Sequence, residues 1–198
     1  MRRVAALVVS AAALAVWGVP RTSAGTCTIR GTPLGDDIRG TAGPDVICGR
    51  GGDDVIDGRG GGDTIFGQGG DDRIHGGAGA DDIFGGFGAD VIRGQRGHDF
   101  IFAGSGADEV FGQAGNDQAD GGRGSDDLFG GRGSDRIGGG GTNAVDHVSG
   151  GLGNDSCLSV TDGQGNDTVL GGAGIDTGDF DPGDVRMSLE RVVPCFGD

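Results

Sequence analysis

The sequence predicts an all-β fold made by stacking repeats into a solenoid, and three observations carry that prediction. Glycine supplies 49 of the 198 residues while aromatic residues make up only 5%. Such a mixture cannot fill a globular core, because glycine brings no side chain to bury and loses the most backbone entropy on folding. From Gly31 to Gly138 the chain divides without a gap into twelve units of nine residues. The acidic residues, finally, are 28 Asp against only Glu109 and Glu190. A surface that needed only solubility would use Glu as freely, so the bias points to a geometric need for the short carboxylate. Collagen, the other glycine-rich architecture, is excluded by the missing G-x-y period and by only 5 Pro.

Residues 1–26 differ from everything after them. Arg2 and Arg3 precede an apolar run from Val4 to Val19, Pro20 ends it, and Thr22-Ser23-Ala24 offers the small residues a signal peptidase reads. The run is short for a membrane span of roughly 20 residues, so residues 1–24 are read as a cleaved signal peptide and the protein as secreted. Cleavage removes Arg2, Arg3 and Arg21 and takes the formal charge from −15 to −18. That balance excludes nucleic acid as a partner, since a phosphate backbone demands the opposite sign. Four cysteines remain, an even number that in an exported chain reads as two disulfides with three connectivities. Proximity along the chain favours Cys27–Cys48 and Cys157–Cys195.

Within the repeats the sixth position is always Asp: Asp36, Asp45, Asp54, Asp63, Asp72, Asp81, Asp90, Asp99, Asp108, Asp117, Asp126 and Asp135. The eighth is aliphatic throughout, mostly Ile, with Val110, Ala119 and Leu128 as exceptions. Downstream the spacing loosens, with an eleven-residue unit at 139–149 and a twelve-residue unit at 159–170, yet Asp146, Asp155, Asp167 and Asp176 keep the sixth-position role. Fixed glycines permit the left-handed dihedrals of a tight turn. In the short strand that follows, alternation turns the eighth side chain inward and the seventh and ninth outward. One inward aliphatic per unit makes a thin core, so units must stack to be stable.

These units resemble the RTX nonapeptide G-G-x-G-x-D-x-U-x of the haemolysin-type calcium-binding family, over roughly residues 31–179. The resemblance implies a parallel β-roll, a right-handed β-helix solenoid. Six residues of each unit would form a turn and three a strand, two units would make one coil of 18, and calcium would lie between turns of successive coils. Residues 25–30 and 180–198 would cap the two ends; in the tail, Val185, Met187 and Leu189 alternate like a strand. Elementary electrostatics agrees. Coils about 4.8 Å apart would stack equivalent Asp residues into two rows, each neighbouring pair repelling by about 1 kcal/mol in water and roughly four times that at an effective dielectric of 20. Calcium takes 6–8 oxygens from carboxylates and carbonyls together, whereas magnesium keeps its waters. All sixteen sixth-position Asp residues, Asp36 through Asp176, are therefore the expected metal ligands, with Ca²⁺ as the cofactor. If each ion bridges units n and n+2, the twelve regular units allow about ten sites.

No catalytic constellation emerges: the nucleophile elbow and the H-E-x-x-H zinc motif are both missing from the sequence. His75, His98 and His147 read as exposed fillers. Ninth-position Phe66, Phe84 and Phe102 recur every 18 residues, as do Phe111 and Phe129 on the other face. They form an expected outward ladder, either self-stacking or docking a cell surface or a second roll. The N-terminal leader departs from the family's usual C-terminal export signal and from toxin-like roles. The function expected is a secreted calcium-binding module that folds on extracellular Ca²⁺, structural or adhesive and not an enzyme. An ice-binding roll or a degenerate hydrolase is the alternative; the first would need a regular outward Thr array, and the seventh position instead runs Asp37, Val46, Val55, Thr64, Arg73.

Overall fold

The structure, a computed structural model, describes residues 27–141, 144–159, 167–179, 185–187 and 191–192. The leader and Cys195 lie outside the described residues, and with Cys195 the expected Cys157–Cys195 bridge.

The nonapeptide period becomes a coil with two walls. Successive strands alternate between two parallel sheets, so each strand pairs with the next but one in sequence. Among the described residues one sheet has ten strands, from Ile29–Arg30 to Arg191–Val192, and the other nine, from Asp37–Arg39 to Val185–Met187. Register advances by one coil of 18: Ile65 pairs with Ile83 and Ile83 with Ile101 on one wall, Ile74 with Ile92 on the other. This is the parallel β-roll that the repeat predicts.

The core is built from eighth-position residues of both walls, joined by first-position Ala103. Ile47, Ile56, Ile65, Ile74, Ile83, Ile92, Ile101, Val110 and Leu128 are fully buried, and the column continues to Val148 and Val169. Parallel sheets bury what their strands turn inward, and here that is one aliphatic side chain per unit.

The strands are longer than the three residues implied by the family resemblance. From Thr64–Gly69 to Asp127–Arg132 each spans six, running from the seventh position through to the third position of the next unit. The turn proper shrinks to positions four to six. The cause is the first-position glycine, which also faces inward and is buried. A Cβ there would collide with its own unit's Asp and Ile and with the next coil; on Gly76 it would stand 2.6 Å from Asp81 Oδ2, 3.0 Å from Ile83 Cδ1 and 2.9 Å from the Gly94 carbonyl oxygen. Without a side chain the ladder continues past that point.

The irregular units keep the Asp rows continuous. Asp126 and Asp146 are bonded across 20 residues and Asp146 and Asp167 across 21, where regular coils use 18. A register shift marks the pairing of Arg136–Gly138 with Ser156–Ser159. At the N-terminal end the expected Cys27–Cys48 disulfide is formed, with Cα atoms 6.0 Å apart. In the tail, Val185–Met187 pairs with Thr168–Leu170 and Arg191–Val192 with Thr177–Gly178, so both sheets extend past the last repeat.

Candidate metal centre

The sixth residue closes each turn and delivers its side chain to the edge of the coil, between the turn and the buried aliphatic two residues on. Of the predicted ligands Asp36 is half-buried, and the other fifteen, Asp45 to Asp176, are buried at 9% exposure or less. They form two rows, one on each edge of the roll. One runs Asp36, Asp54, Asp72, Asp90, Asp108, Asp126, Asp146, Asp167, and the other Asp45, Asp63, Asp81, Asp99, Asp117, Asp135, Asp155, Asp176.

One hydrogen bond repeats along both rows. The backbone N–H of each Asp donates to Oδ1 of the Asp one coil later, at 2.8 Å from Asp63 to Asp81 and 3.0 Å from Asp81 to Asp99. The second oxygen behaves differently. Oδ2 is buried and has no hydrogen-bond partner in every sixth-position Asp from Asp54 to Asp135, and in Asp155. A buried acceptor left unmade costs about 1–3 kcal/mol, and more if charged. So regular a series of orphaned oxygens asks for a cation.

The donor set fits a hard ion. Around the point where a Cβ on Gly76 would stand, Asp81 Oδ2 and the Gly94 carbonyl oxygen converge, so carboxylate and backbone oxygens gather together from adjacent coils. Among the described residues no three His, Cys, Asp or Glu side chains cluster about one point. Each row thus supplies one carboxylate per coil, and backbone carbonyls would have to make up the rest of a calcium shell. Calcium accepts that mixture; zinc sites, built on His and Cys, do not use it.

Burial pushes the carboxyls up from their ordinary 3.8. Asp90, Asp117 and Asp126 reach about 7, and Asp72, Asp81, Asp108 and Asp155 about 6. Desolvation is the main cause; the incoming N–H opposes it, and neighbouring carboxylates add to it, as Asp108 and Asp72 do at Asp90. The site therefore disfavours its own charge until a cation supplies the balance.

Two features escaped the sequence reading. The fifth-position side chains form a second, exposed ladder on the same edges. Asp53 Oδ1 accepts the N–H of Asp71, and Asp71 Oδ1 that of Ala89. On the other edge His98 Nδ1, in a residue read as a filler, accepts the N–H of Asn116 at 2.7 Å, and Asn116 Oδ1 accepts that of Ser134. The fifth position varies too much for a periodic signal. The second is a pair of threonines in the first two units, Thr32 and Thr41, whose N–H groups donate to Asp36 and Asp45.

Stacked turns with two internal carboxylate rows define a parallel β-solenoid that binds a hard divalent cation in its turns. The sequence profile of the RTX calcium-binding nonapeptide repeat matches this chain in overlapping stretches, at residues 30–65, 57–92, 84–119, 102–137, 111–145, 120–157 and 159–178. The chain belongs to the RTX calcium-binding nonapeptide repeat family, and its cofactor is Ca²⁺. Comparison with curated protein sequences found no match.

Proposed function

We propose that this calcium-binding repeat protein is exported through the leader at residues 1–24 and orders its roll on meeting extracellular Ca²⁺. Sixth-position Asp residues serve as ligands, and the folded rod serves as a structural or adhesive module without a catalytic step. The observation that carries this reading is the series of buried Oδ2 atoms without partners. A polar interior of that kind is costly before the ion arrives, so binding free energy becomes folding free energy. The deciding experiment is circular dichroism of the mature chain during calcium titration, with magnesium as control. Strand signal should rise cooperatively with Ca²⁺ and not with Mg²⁺; equal order in chelator would refute the proposal. Mass spectrometry of the exported product tests cleavage near Ala24.

The phenylalanine face supports stiffening more than docking. Phe66 and Phe84 stack at 5.1 Å and 12°, as do Phe111 and Phe129, and these rings cover one another. Phe84 also meets Phe100, a seventh-position residue, at 6.0 Å and 55°.

A further inference from the structure

Identical at the sixth position, the first two units differ from the regular units of residues 49–138 in what meets their Asp. In unit 31–39 the N–H of Thr32 donates to Asp36 Oδ2 at 2.6 Å, and the Thr32 hydroxyl lies 2.9 Å from the same oxygen. Unit 40–48 repeats the arrangement: the Thr41 N–H donates to Asp45 Oδ2 at 2.7 Å, with the hydroxyl at 2.9 Å. Each hydroxyl also accepts an N–H from two residues on, Leu34 at 3.3 Å and Gly43 at 3.2 Å. Threonine thus supplies to these carboxylates the partner that Oδ2 lacks in the regular units from Asp54 to Asp135.

The backbone shows why the switch occurs there. At the same second position Arg50, Arg59 and Gln68 take φ of 92°, 75° and 82°, a region closed to β-branched residues. Thr32 and Thr41 stay out of it, and so do the fourth-position residues Leu34 and Gly43, whereas Gly52 and Gly61 adopt it. Threonine therefore selects a different turn, one in which the second-position N–H points at the carboxylate.

A third threonine seals the same end: the N–H of Val46 donates to Thr28 Oγ1 at 2.9 Å, and Cys27 is bridged to Cys48. We propose that the first coil closes on threonine in place of calcium and forms a metal-independent end on which the calcium-dependent coils stack. The proposal rests on the reading of sixth-position Asp as calcium ligands, and its consequence is that Asp36 and Asp45 are structural rather than metal-binding.

Two measurements on the mature, oxidised chain test it. Hydrogen exchange in chelator should show the segment 31–45 protected at least tenfold more than the segment 67–81. The T32V/T41V double variant should lose that protection and the T32S/T41S variant keep it; uniform exchange across both segments would overturn the proposal. Native mass spectrometry in saturating calcium should count the same number of ions for D36N/D45N as for the parent, and fewer for D81N/D90N. Equal losses in the two variants would also overturn it. Should D81N/D90N keep the full complement, the ligand reading itself fails, and the exchange arm still decides the threonine closure.

Discussion

A glycine in these turns is defined by what stands beside it. Gly79 has φ 145°, and a Cβ on it would run into the Gly61 carbonyl of the preceding coil. Gly79→Ala should cost about 1–3 kcal/mol in backbone strain alone, read as a rise in the calcium midpoint of folding. Ala103 is the exception at the first position, fully buried where other units have glycine. In the units of Gly58, Gly76 and Gly85 a Cβ would meet a carbonyl oxygen of the next coil, the unit's own Asp Oδ2 at 2.5–2.6 Å and an Ile Cδ1 at 3.0–3.1 Å; the unit of Ala103 has Val110, which removes the last of these three contacts. V110I should therefore overpack by about 1–3 kcal/mol, and A103G/V110I should recover most of it in a double-mutant cycle. The carboxyls set the pH response. In the metal-free roll their values lie above the ordinary 3.8, so the folded state binds protons more tightly than the unfolded one. Their contribution to stability is complete below 3.8 and is lost as pH rises through about 6 to 7. Circular dichroism in chelator should show more order at pH 4 than at pH 7.5. With calcium the sign reverses, because ligands must be deprotonated, and the calcium midpoint should rise as pH falls from 7.5 to 5.5.

At the scale of the strand, sequence and structure part company in an instructive way. The eighth-position aliphatics were legible because Ile74, Ile83 and Ile92 each sit two residues after an invariant Asp, and burial follows from alternation. The carboxylate rows were legible for the same reason. The length of the strands was not, since glycine at the first position and often at the second reads as turn by propensity, and only stacking against the next coil makes it strand. Nor was the exemption of Asp36 and Asp45 legible: it depends on a hydroxyl four residues earlier and on a backbone dihedral that composition does not reveal. The aromatic pairs belong to this scale too. Phe84 contacts both Phe66 and Phe100, so F84A should cost about 0.5–1.5 kcal/mol beyond its lost burial. F129A, at the edge of its pair, should cost less. Thermal melts in saturating calcium would rank them.

Among the described residues the strands form a one-dimensional stack in which each coil pairs with its neighbours, and such arrays owe their stability to interfaces rather than to a shared centre. Within the regular region every strand pairs only with strands one coil away. Pulled at its two ends, the rod would meet its coils in series and surrender them one after another. Each release would lengthen the tether by up to about 60 Å, the reach of 18 extended residues. An optical trap should record a staircase of near-equal rungs in calcium and a featureless extension in chelator; a single large rupture would contradict the serial arrangement. A filament with that response dissipates tension in instalments, which suits a tether better than a rigid strut.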